Sequence, residues 1–440
     1  MNFARRVWGS CLLITVCMGS FGIAGLSLGF GVTLLVSLAA LEPALVKQRL
    51  SRLPLLLSAG LFLLWGLLTL AWTEASSLLT PLSNWSHWLI LIPAAGFMMT
   101  DDVRHGIWRA LVAVQLIVAI WSIYVGIDCA IDWNPYPDAG DCMNKRIPHG
   151  NTQASWMLGF SSLLALIWLE GRWRWACASV LALPLLLMGG LTAFILLAAG
   201  LAVAFICSVP LKPWRLQVLI AAAAFGIVGV MFNPMLQADI HALIQSSEHN
   251  LLQTVHSEET GKQGPRASTA GSGQDSQSSA AERMAFWRAS ALAIRDRPLI
   301  GHGMGSWSEV YRGFHPQVQG PASSINPQSS YLHLAVEQGL IGLCLFLGLL
   351  AALWQAARWL TGFEAVAFRM LIVSFSVASL FYSWTHDAGA SRMFLVLMVL
   401  CLAGLRAPQQ ASTGPVHPKG EPNLNSRSPA RERRSKKVKP

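Results

Sequence analysis

The stretch INPQSSYLHLAVEQGLIG, residues 325–342, sets Gln328, Ser329, Tyr331, His333 and Glu337 where a long polar segment runs into an apolar one. His333 and Glu337 are four residues apart, so a helix places them on one surface. An imidazole beside a carboxylate can hold or remove a proton near neutral pH. Ionisable groups at a membrane span cost free energy unless they are paired, hydrated or functional. The stretch therefore reads either as a reaction site or as a helix cap with interfacial polar residues. His149, His302 and His315 lie in polar regions expected on the same face and are further proton-handling candidates.

The elements that must position these residues are membrane helices. The 440 residues are 53% hydrophobic and only 12% charged, far from the ~25% charge of an ordinary soluble domain. Apolar runs long enough to cross a bilayer recur with short polar joints, too many for one signal peptide. The expected fold is an all-α polytopic membrane protein of about twelve transmembrane helices, from Gly9–Phe21 to Met393–Leu405. Lys and Arg gather in alternate short loops: Arg5 and Arg6, then Lys47, Arg49 and Arg52, then Arg104 and Arg109, and later Arg358 and Arg369. Positive loops are cytoplasmic, so both termini are expected inside, and the loops after spans five and nine outside.

Four regions follow: residues 1–232 with about nine spans, an outside segment 233–333, residues 334–405 with about three spans, and a tail 406–440. The tail carries nine Lys/Arg against two Glu and reads as disordered chain. A basic segment beside a membrane rests on anionic lipid head groups, so lipids rather than nucleic acid are its expected partner. Cys129 and Cys142 bracket an outside loop and are plausible disulfide partners, whereas the six other cysteines lie in apolar spans as packing residues.

Within the outside segment, residues 249–280 begin as a possible helix and become rich in Gly, Ser and Gln, a composition of flexible loop. From Ala281, Met284, Trp287, Ala291 and Ile294 recur at helical spacing until Pro298, predicting an amphipathic helix with Arg283 and Arg288 beside its apolar face. GHGMGS follows; without a preceding strand its glycines are no dinucleotide fingerprint, and they read as a tight turn allowing close backbone approach.

Taken in order, Arg283-Met-Ala-Phe-Trp287, RPLIGHGMGSW and NPQSSYLHLAVEQGLIG resemble the signature region of the O-antigen ligase superfamily, over about seventy residues. That superfamily includes lipopolysaccharide O-antigen ligases, O-antigen polymerases and protein O-oligosaccharyltransferases. Its second motif begins with His, then Asn, Ser or Gln, nine residues, and Gly-x-x-Gly. Ser329, Gly339 and Gly342 fit that spacing, but Gln328 stands where the His is expected. A carboxamide hydrogen-bonds without acting as a general base near neutral pH.

The resemblance implies a membrane glycosyltransferase in the bacterial inner membrane, active on the periplasmic face. It would move a glycan from undecaprenyl diphosphate to a hydroxyl of lipid A core, a growing glycan or a pilin-like protein, with no nucleotide sugar, cofactor or metal. Arg283, aligned with the family's loop arginine, is the first candidate for clamping the departing diphosphate, followed by Arg288 and Arg146, because a guanidinium fork matches phosphate oxygens. On the acceptor side Gln328 would orient the hydroxyl, with His333 and Glu337, or His302 and His315, as substitute proton acceptors. Tyr331 and Trp307 either stack on sugar or anchor the interface. Two other readings stay open: a polytopic transporter, and an inactive homologue that binds the glycan lipid.

Overall fold

The structure, a computed structural model, describes residues 2–21, 23–39, 54–91, 99–130, 146–147, 150–188, 191–207, 212–232, 275–314 and 327–405. Among these residues all regular structure is helical. Helices α1 (Asn2–Gly19), α2 (Ile23–Ala39), α3 (Pro54–Leu68), α4 (Leu79–Ser86), α5 (Asp101–Ala130), α6 (Gly150–Trp168), α7 (Gly171–Met188), α8 (Leu191–Cys207) and α9 (Arg215–Phe232) form the first part. Then come α10 (Asp275–Asp296), α11 (Trp307–Phe314), α12 (Ser330–Ala356), α13 (Gly362–Phe381) and α14 (Ala388–Leu402).

Among the described residues, four stretches are long and apolar enough to cross a membrane by length and composition: Pro54–Trp72, Asp101–Cys129, Ser330–Trp359 and Gly362–Phe381. Shorter apolar helices occupy Val7–Gly19, Gly25–Leu38, Ala154–Trp168, Thr192–Cys207, Arg215–Met231 and Gly389–Leu402. The chain is a membrane protein. Of the expected fourth span, Trp85–Met99, residues 92–98 lie outside the described residues, as do residues 249–274 of the Gly/Ser/Gln-rich segment and the basic tail; residues 275–280 are helical, which corrects the flexible-loop expectation there. Cys129 is disulfide-bonded; its expected partner, Cys142, also lies outside them.

The core is aromatic. Trp88 is fully buried with Phe62, Phe346, Phe375 and Phe394 around it, their ring centroids between 5.7 and 6.5 Å away. Helices α3, α12, α13 and α14 thereby meet through van der Waals contact, which holds helices together in lipid, where apolar burial between them gains little.

Polar groups segregate along α12 to α14. At the start of α13, buried Glu364 ion-pairs with Arg104 of α5, and Trp108 Nε1 donates to the same carboxylate at 3.3 Å. Nearby, Met99 N–H reaches Ala403 O at 3.2 Å beyond the end of α14. Twenty residues of α13, roughly 30 Å at 1.5 Å per residue, separate this end from the one holding His333, Thr385 and His386.

Helix α10 begins earlier than the hydrophobic spacing predicts, at Asp275. Its buried face is Phe286, Ala289, Ser290 and Ala293, while Ala291 is exposed. This corrects the expected face. The true stripe packs on Trp307, Val310 and Tyr311 of α11 and on Val336 of α12; Trp287 and Ile294 lie at its margin.

Candidate active site

Helix α12 starts at Ser330, four residues before the expected span, and breaks at Gly339, whose φ of 68° is non-helical. A broken membrane helix leaves carbonyls of the first piece and N–H groups of the second without partners. The loop after α10 supplies both. Pro298 O accepts from Leu340 N at 2.8 Å and Leu299 O from Ile341 N at 3.3 Å, while His302 N donates to Val336 O at 2.9 Å and Gly303 N to Glu337 O at 2.8 Å.

This approach needs glycine. Gly301 and Gly303 have φ of 68° and 96°; a Cβ would lie 2.6 Å from the Glu337 carbonyl at the first and 2.2 Å from Thr73 Cα at the second. The sequence expectation of a turn permitting close backbone approach holds. Thr73 locks the other side, its Oγ1 donating to Met304 O at 2.7 Å. Further out, Ser76 Oγ donates to Glu309 Oε1 at 2.6 Å.

The loop and the α12 break enclose three ionisable side chains. Glu337 is 1% exposed. His333 Nε2 lies 2.9 Å from its Oε1 and His386 Nε2 lies 3.2 Å from its Oε2; Trp307 N–H points at Oε1 from 3.4 Å. The two imidazoles stack with centroids 3.5 Å apart and planes 9° from parallel. A carboxylate accepts only, so each Nε2 carries the proton. The remaining nitrogens differ: His386 Nδ1 meets Thr385 Oγ1 at 3.0 Å, whereas His333 Nδ1 is buried with no partner among the described residues. Trp307 Nε1 and both side-chain polar atoms of the fully buried Gln338 are also unpartnered among the described residues. The site thus combines an oriented imidazole lone pair with unused donors.

Two His and one Glu within reach of one another form a donor set that transition metals favour. The stacking argues against that use in this arrangement. A metal lies in the plane of each imidazole it binds, and near-parallel planes 3.5 Å apart share no such point. Two hydrogen bonds to the two oxygens of one carboxylate fit the geometry as it stands.

The other sequence-derived candidates scatter. His302 is buried against Ala293 O, 3.2 Å from its Nε2, and holds the glycine loop to α10. Tyr331 donates to Ser376 O at 2.8 Å inside the bundle. Gln328 adopts φ 50°, an uncommon conformation for a non-glycine residue. Arg146 ion-pairs with Asp128, and Arg288 is exposed on α10. Arg283 lies on α10, but its side chain, like His149 and His315, is outside the described residues.

His386 escaped the sequence reading. Its signal was present: YSWTHD is a polar connection between two apolar helices, at the same side as His333 by span parity.

Residues 189–347 match the family model described as O-antigen ligase. No curated protein matches the chain. The matched region contains α10, the glycine loop, His333 and Glu337; His386 lies beyond it.

Proposed function

We infer that this chain, which carries an O-antigen ligase superfamily domain over residues 189–347, is a glycosyltransferase that moves a glycan from a lipid diphosphate carrier to an acceptor hydroxyl. The supporting observation is the buried His333–Glu337–His386 group at the break of α12, within and just beyond the matched domain. His333 Nδ1 takes the hydroxyl proton as the acceptor oxygen bonds to the anomeric carbon. The bond from that carbon to the phosphate oxygen breaks, and its electron pair leaves with the carrier diphosphate. Glu337 holds the imidazole's tautomer and balances the imidazolium that forms, work worth about 10² to 10⁴ in rate for a positioned base.

Gln328 then has no proton to remove. Arg283 and Arg288 on α10 are the cations assigned to the diphosphate, where fixed charge opposes the negative charge that builds on departure. The donor is undecaprenyl diphosphate glycan and the acceptor lipid A core, a glycan or a pilin-like protein, on the periplasmic face of the bacterial inner membrane.

Purified chain in lipid nanodiscs, given undecaprenyl diphosphate glycan and each acceptor class in turn, will release carrier diphosphate and form a larger product. The helix break also suits a transporter. Substrate-dependent uptake into vesicles, with no transfer to any acceptor, would overturn the enzyme reading in favour of that one.

A further inference from the structure

Arg392 sits in the second turn of α14, half-buried among helices, at the same end of the bundle as His386. Its Nε donates to His87 Nε2 at 2.7 Å and its Nη1 to Ser27 Oγ. Guanidinium has no acceptor atom, so His87 must offer a lone pair at Nε2 and carry its proton on Nδ1. The histidine is therefore neutral and brings no counter-charge. Asp387, five residues earlier, caps α14, its Oδ1 accepting from Gly389 N and Ala390 N at 2.8 and 3.2 Å. Among the described residues no carboxylate forms a salt bridge with Arg392; Asp387 acts on it electrostatically from beyond salt-bridge distance.

A second shortage stands beside the first. His87 is 3% exposed, and its protonated Nδ1 has no acceptor among the described residues. The Phe30 ring, 5.5 Å away and edge-on, forms an apolar wall. A cation whose direct partners are a neutral imidazole and a hydroxyl, beside a buried N–H donor with no acceptor among the described residues, makes a place that favours an anion. Leaving either group unmet in low dielectric costs free energy.

We propose that Arg392, backed by His87, seats a phosphate group of a lipid at this end of the bundle. Its place one turn into the helix that His386 precedes makes the carrier diphosphate of the proposed transfer the ligand of choice, so the assignment of source rests on that reading. A planar guanidinium can keep His87 and Ser27 on two N–H groups and present the rest to phosphate oxygens.

The test uses the full chain in uncharged detergent, with farnesyl diphosphate as a short polyprenyl probe and phosphatidylglycerol as the bulk headgroup probe. Arg392→Gln will weaken farnesyl diphosphate binding by about tenfold or more, the weight of a charge-assisted hydrogen bond, and Arg392→Lys by less. Loss for the diphosphate alone identifies the carrier as ligand; equal loss for phosphatidylglycerol keeps the phosphate seat and reassigns its occupant to bulk lipid. Unchanged binding of both by a variant that melts like the parent overturns the proposal. If Arg392→Gln does not fold, the unaltered chain decides: farnesyl diphosphate must shield Arg392 from phenylglyoxal, mapped by mass spectrometry, and absence of shielding rejects the seat. Glu337→Gln separates the two readings, since it should stop transfer while leaving diphosphate binding intact.

Discussion

Glu337 and His386, 49 residues apart in the chain, meet at 3.2 Å through the second oxygen of a carboxylate whose first oxygen holds His333. One buried acid thus fixes two rings, one on α12 and one in the turn between α13 and α14. Glu337→Gln keeps the shape but removes the charge, and turnover should fall about 10²-fold or more. His333→Gln should fall as far, because it deletes the free Nδ1, and His386→Gln less. Equal activity of all three with the parent in a carrier-release assay would remove the group from the chemistry.

Gln328→His restores the residue that the resembled motif expects. With His333 serving as base, it should leave turnover within about threefold of the parent, against the ~10² or more a missing base would return. A large gain would transfer the proton-accepting role to position 328.

Gly303→Ala forces a Cβ to 2.2 Å from Thr73 Cα at φ 96°. The backbone strain alone is about 1–3 kcal/mol, and the clash adds to it. The loop should detach from α12, with faster hydrogen exchange at His302, Gly303, Leu340 and Ile341, the four amides that bridge the break. Gly313→Ala, where nothing among the described residues stands within reach of a new Cβ, is the control that should change little.

Glu309 gives a pH dependence. Partial burial pushes its carboxyl up, but hydrogen bonds from Ser308 and from the hydroxyl and amide of Ser76 outweigh this and hold it below the ordinary range. A depressed carboxyl contributes stability above its unfolded value and loses it as pH falls through the folded one. Proteolysis or exchange around Ser76 should therefore increase on acidification below the usual carboxylate range. Glu309→Gln should flatten that response; a response unaltered in the variant would assign it to other groups.

At the far end, Glu364→Gln leaves the Arg104 guanidinium buried without its main partner. Removing one member of a buried pair costs about 3–5 kcal/mol, so thermal unfolding of the detergent-solubilised chain should drop by several degrees. Diphosphate binding at the opposite end should persist in the folded fraction.

Much of this was readable in the residue order because lipid imposes simple rules. Long apolar runs announced helices, and the four-residue step from His333 to Glu337 announced a shared surface. The GHGMGS glycines announced a close backbone approach, and Thr73 and Glu337 turned out to be what they approach. What stayed hidden depends on which helices are neighbours. His386 joins Glu337 only because α12 and α13 are antiparallel partners, and His87 meets Arg392 only because α14 lies against the turn after α4. The face of α10 was misread at Ala291 because an alanine-rich helix has a weak apolar stripe, and packing on Trp307 and Tyr311 decided which side was covered.

The family match stops at residue 347 while His386 lies 39 positions downstream. A chimera that swaps only the recognised block between related proteins would inherit two members of the proposed His333–Glu337–His386 group and borrow the third from its host. Such hybrids should work or fail according to the six-residue connection YSWTHD between α13 and α14, which makes it the natural crossover to control when blocks are recombined.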